Sequence, residues 1–192
     1  VIKKAGLLFL LLSLLSWPSR NLRAQESLCS LPLETLAGQT TSLEAVENTP
    51  LSVFFFLAPE CPLCENYALT ITQLRERFPA EEVAFYGIFA GYTYSHAEIA
   101  AYLARFDLPV KALRDPYYRL TQFLQASVTP EAVLVDANGA VHYQGKIDNW
   151  IATLGKKRLQ VSRHYLADAI ESVRAGQPVA IPQTTAVGCL IE

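Results

Sequence analysis

The chain has 192 residues, 51% of them hydrophobic and 18% charged, which supports one domain with a substantial core. A formal net charge of −2, with no basic cluster beyond Lys156-Lys157-Arg158, excludes the phosphate-neutralising face that a nucleic-acid binder needs. That short run reads as a solvated turn.

Residues 1–24 read as a secretory signal. Lys3 and Lys4 make a positive start, Ala5 to Leu15 is apolar apart from Ser13, and Leu22-Arg23-Ala24 offers a small residue for cleavage. The apolar run is short for a bilayer span and is closed by Pro18 and Arg20, which favours cleavage over an uncleaved anchor. The mature domain is then expected over residues 25–177, with residues 178–192 as a C-terminal tail and no stable membrane insertion. Export to a bacterial periplasm or equivalent space puts Cys29, Cys61, Cys64 and Cys189 where disulfides persist.

Within the mature chain, Pro32 to Leu43 suggests a hairpin turning at Gly38. Leu51 to Leu57 is a continuous apolar run of β-formers, expected as a central strand buried on both faces. It leads straight into Cys61-Pro62-Leu63-Cys64. A helix to about Phe78 follows, with Ala68, Ile71, Leu74 and Phe78 on one face and Pro79 as its stop. Val83 to Ala90 predicts a second buried strand. Ser95 and Glu98 form a capping-box pattern for a helix to about Phe106. Val110–Leu113 reads as a short strand and Tyr117–Leu124 as a short helix. Ala132–Asp136 and Val141–Lys146 flank Asn138-Gly139, a strong hairpin signal. Ile147 to Gln160 predicts a loop with a helical turn. Val161, Tyr165, Leu166, Ala169, Ile170 and Val173 mark a last amphipathic helix, and the tail beyond has no helical pattern. Alternating strands and helices imply an α/β fold with a central mixed sheet flanked by helices.

The chemistry concentrates at the Cys-x-x-Cys. A cysteine between a strand and a helix start meets free N–H groups and the positive dipole end, which favour its thiolate. Cys61 is therefore expected as an exposed nucleophile and Cys64, a helical turn on, as the buried resolver of a dithiol. Pro62 suits the first helical turn because its missing N–H has no partner there in any case. No second Cys pair or His pair stands at zinc spacing, and Glu65 replaces the His of a haem-attachment motif. Glu60 and Glu65 read as solvated acids near a helix N-terminus.

Several segments in order resemble the thioredoxin-like redoxin superfamily from about Pro32 to Lys146. They are the apolar strand, the Cys-x-x-Cys opening a helix, and Ser127-Val128-Thr129-Pro130-Glu131 before a strand and an Asn-Gly hairpin. The resemblance implies a cis proline at Pro130 beside the thiols and a substrate-facing backbone at Thr129. A closer resemblance is to exported redoxins of the alkyl hydroperoxide reductase (AhpC/TSA) type. It rests on Glu60 to Tyr67, Val128 to Ala132, Tyr143 to Asp148 and Gly188 to Ile191. Many of those proteins lack a cysteine at the position of Cys64.

The implied activity is thiol–disulfide oxidoreduction through Cys61 and Cys64, with Pro62, Thr129 and Pro130 facing the substrate and no bound cofactor or metal. Protein thiols or disulfides are the expected partners, with a membrane electron donor as a further candidate. Two alternatives stand beside it: a peroxide reductase using Cys61, and a non-catalytic copper-binding or structural module. Ala58 and Phe54 stand where the peroxiredoxin motif has a hydroxyl and a proline, with Arg114 or Arg119 the candidate arginine. Copper binding would recruit His96, His142 or His164. Cys29 and Cys189 have two readings: a structural bridge between the termini, or Cys189 folding back as a second resolving thiol for Cys61.

Overall fold

A computed structural model describes residues 27–43 and 49–192. The signal-like residues 1–24 and the side chain of Cys29 lie outside this description. A turn of 3-10 helix at Leu28–Ser30 precedes β1 (Leu33–Thr35) and β2 (Thr40–Thr41). Then follow β3 (Leu51–Phe56), α1 (Pro62–Arg77), β4 (Val83–Ala90), α2 (His96–Phe106), β5 (Lys111–Asp115) and α3 (Arg119–Phe123). The chain continues through β6 (Val128–Thr129), β7 (Glu131–Asp136), β8 (Val141–Gly145), β9 (Ile151–Thr153) and β10 (Lys156–Lys157), and closes with α4 (Tyr165–Arg174) and β11 (Cys189–Leu190).

Seven strands form one sheet in the order β2-β1-β5-β4-β3-β7-β8. β3, β4 and β5 run parallel, whereas β7 and β8 are antiparallel to their neighbours. β3 is buried on both faces, and its alternation divides the core. Val53 and Phe55 face one cluster with Ile71, Tyr102 and Ile170, under α1, α2 and α4. Phe54 and Phe56 face the other with Leu33, Leu113 and Leu120, under α3 and the N-terminal turn. Each fully buried phenylalanine contributes about 2–3 kcal/mol of hydrophobic stabilisation. This is the expected central mixed sheet flanked by helices.

Local rules hold at several ends. The Ser95–Glu98 capping box is formed in both directions, and Phe78 caps α1 ahead of Pro79. One expectation needs correction: residues 147–160 carry the small β9–β10 hairpin and no helical turn. The hairpin expected around Asn138-Gly139 is formed by β7 and β8, with a register shift between Leu134 and Val135. The tail has no helix, as expected, and its β11 pairs antiparallel with β6.

Candidate functional site

β3 delivers the chain to the N-terminus of α1. Cys61 is the N-cap residue and Pro62 the first helical residue. The Cys61 N–H donates to the Ala58 carbonyl at 3.1 Å, and the Glu65 N–H returns to the Cys61 carbonyl at 3.2 Å. Cys61 thus stands at the positive end of the α1 dipole, with no cap hydrogen bond to its side chain. Opposite it, the Thr129–Pro130 peptide is cis, and the Thr129 carbonyl oxygen lies 3.1 Å from the Cys61 sulfur. Glu131 pins this loop: its carboxylate accepts the Ser127 N–H at 3.1 Å and the Gln144 side-chain N–H at 2.9 Å.

The sulfur bonded to Cys61 belongs to Cys189, with Cα atoms 6.2 Å apart, inside the range that disulfides span. Of the two readings of Cys189, this is the one in which it folds back onto Cys61, and it therefore does not bridge to the N-terminus. One expectation is corrected. Cys61 is not exposed but 2% accessible, beneath the tail bonded to it.

Cys64 is the free cysteine among the described residues and is wholly buried. It shares the inward stripe of α1 with Tyr67, Ala68 and Ile71. Burial pushes its thiol up to about 12, and the charge of Glu65 adds to the rise. The Ala58 backbone and the Thr129 side chain pull the other way.

The tail reaches the site as a strap fastened at two places. Near its start, the Gln144 N–H donates to the Pro182 carbonyl and the Thr184 N–H to the Gln144 carbonyl, both at 3.0 Å. The Thr184 hydroxyl meets the Tyr143 hydroxyl at 2.7 Å and accepts the Lys146 N–H at 2.9 Å. A Cβ at Gly145, whose φ is +139°, would sit 2.8 Å from the Thr184 carbonyl carbon and nearer still to its oxygen. At its end, Cys189 stands opposite Thr129 and Leu190 opposite Val128. The Ile191 N–H donates to the Ser127 carbonyl at 3.0 Å. None of this strap was legible from periodicity.

The same reading missed a buried polar group beside the site. Asp148, 3% exposed, accepts the Tyr67 hydroxyl and the Trp150 N–H, each at 2.8 Å. Burial and the Asp148 charge raise the Tyr67 pKa, so the phenol stays a donor.

Other candidates are engaged elsewhere. Arg114 pairs with Glu34 at 3.5 Å and donates to the Tyr94 carbonyl, and Ala58 offers no hydroxyl. His96 lies 3.5 Å from Glu34 and His142 3.0 Å from Asp136, while His164 stands at the N-cap position of α4 without a side-chain cap bond. No group of three or more His, Cys, Asp or Glu residues able to hold a metal occurs among the described residues. Glu65 lies 3.5 Å from Arg105 at the surface. No helix among the described residues is long and apolar enough to cross a membrane.

The AhpC/TSA family model matches residues 25–144, well over half of the chain. The chain belongs to the AhpC/TSA family. The match covers the strand–Cys61–helix unit and the Pro130 loop, and stops before the strap of this AhpC/TSA protein. Among solved structures, it is similar to an uncharacterized conserved protein from Geobacillus kaustophilus. Identity is 20%, coverage 84% of this chain and 87% of that one, and TM-score 0.74. A hypothetical protein from Sinorhizobium meliloti 1021 shares 19% identity over 83% of this chain and 88% of that one, with TM-score 0.72. A thioredoxin-like protein from Aeropyrum pernix shares 18% identity over 60% and 80%, with TM-score 0.53. These likenesses establish the thioredoxin-like fold. No curated protein sequence matches the chain.

Proposed function

We propose that the protein is an exported thiol–disulfide oxidoreductase in which Cys61 exchanges electrons with protein partners. The observation that carries this reading is the bond between Cys61, at the N-terminus of α1 and against the Pro130 loop, and a cysteine on a separate strap. In the reducing direction, the Cys61 thiolate attacks a partner disulfide. That bond breaks, one partner sulfur leaves as thiolate, and a mixed disulfide forms. The Cys189 thiolate then attacks the Cys61 sulfur, the Cys61–Cys189 bond forms, and the second partner sulfur leaves. Two electrons pass to the partner, and the reverse sequence oxidises a partner dithiol.

Cys64 is a second resolving thiol in this scheme, held protonated by burial while the strap is seated. The signal-like N-terminus supports export, where a membrane electron donor is a suitable source of electrons for the oxidised form. Cys61→Ser should abolish exchange with a small disulfide such as hydroxyethyl disulfide, while Cys64→Ser should retain it. Full exchange in Cys61→Ser would overturn the proposal.

A further inference from the structure

Strand β6 has two residues and an edge that the chain's own tail occupies. The fit is specific at one position. A Cβ on Gly188 would lie 2.6 Å from the Thr129 carbonyl carbon, 3.1 Å from its nitrogen and nearer still to its oxygen. Those atoms are backbone held beside the Pro130 loop, so they cannot swing away as a side chain would. The seat therefore requires glycine directly before the cysteine. After the cysteine it is permissive, since Leu190 is 73% exposed. The strap's other fastening, through Thr184, does not depend on the disulfide. Residues 188–192 can thus leave β6 while staying tethered at high effective concentration.

We infer that the strap and a partner take turns on the substrate-facing backbone of β6, and that the strap's own fit there defines the partner segment. The partner segment is extended and carries glycine immediately before its disulfide cysteine. This rests on the proposed exchange at Cys61. Backbone pairing to a sheet edge supplies affinity, and the tight contact at Thr129 supplies selectivity. When the partner's mixed disulfide has formed, the strap competes for the same edge. Its seating brings Cys189 to the Cys61 sulfur and expels the partner as a thiolate. Gly188 is accordingly a positioning residue for the resolving step.

The test uses full-length protein and two peptides, one with Gly-Cys-Leu and one with Ala-Cys-Leu, each bearing thionitrobenzoate on the cysteine. Attack by the Cys61 thiolate releases the coloured thiolate and leaves the peptide on Cys61. In reduced G188A/C189S, where the strap neither bonds nor seats, the glycine peptide should react at least about tenfold faster. Varying the residue after the cysteine should change the rate by less than about twofold. In C189S, whose strap still seats, the glycine peptide should react more slowly than in the double variant. In G188A alone, closure of Cys61–Cys189 should slow by about tenfold or more. Equal rates for the two peptides in the double variant overturn the inference and leave the exchange reaction standing. Failure of Cys61 to exchange with either peptide or with hydroxyethyl disulfide overturns both.

Discussion

Raising the pH of the oxidised protein should move the disulfide from Cys61–Cys189 towards Cys61–Cys64 at a rate set by Cys64. Its thiol is pushed from 9.0 up to about 12, chiefly by burial. At pH 7 the thiolate fraction is then about 10⁻⁵, against about 10⁻² for an unperturbed thiol. A more basic thiolate is more nucleophilic, and a Brønsted slope of about 0.45 over three units returns about 20-fold. The net suppression is about 50-fold, enough to keep Cys64 from dislodging the strap during ordinary turnover. In a Cys29→Ser background, oxidised protein would be incubated at pH 7 to 10, quenched with acid, and alkylated after denaturation. Mass mapping then reports whether Cys64 or Cys189 is free. The rate at which Cys189 appears should climb about tenfold per pH unit. A rate independent of pH, or complete conversion to Cys61–Cys64 within the mixing time at pH 7, would refute the reasoning.

Other outcomes follow from the same geometry. The Cys61–Cys189 bond spans 128 residues, and the chain-entropy model puts its stabilisation at up to about 5 kcal/mol. Urea titrations should show the reduced protein less stable by about 2–5 kcal/mol. The raised Cys64 pKa makes stability full below about pH 9 and progressively lost as pH rises through about 12. Cys64→Ala should flatten that part of the stability–pH curve, removing up to about 4 kcal/mol of dependence. Tyr67→Phe takes a donor from buried Asp148 and should cost about 1–3 kcal/mol by thermal or urea denaturation. A loss below about 0.5 kcal/mol would show that the Trp150 N–H alone satisfies the carboxylate.

The sheet was legible because its signals are local. Phe54 to Phe56 are apolar in succession within a short run of β-formers, the pattern of a strand buried on both faces, and Ser95 with Glu98 forms a complete cap. The Pro130 loop was legible through resemblance. The strap was not, because β11 has two residues and no alternation, and its register on β6 depends on contacts made by Gly188 and Thr184 far along the chain. The sequence left the partner of Cys61 open between Cys64 and Cys189, although one local sign was present. Cys64 lies three, four and seven residues before Tyr67, Ala68 and Ile71, on the inward stripe of α1, and that spacing marks it as a core residue. Asp148 carries no sequence sign of its burial, because its partner Tyr67 is on a distant helix.

The central claim is that Cys61 and Cys189 form a working disulfide rather than an inert bridge. Its most direct test is a redox titration of the folded protein in a graded thiol–disulfide buffer, with the cysteines mapped by mass at each step. Cys61–Cys189 should be the bond present at the oxidised end, and should open and close reversibly while near-UV circular dichroism reports intact packing. A Cys61–Cys189 bond that yields to reductant only after unfolding, or a Cys61 found free throughout, would contradict it.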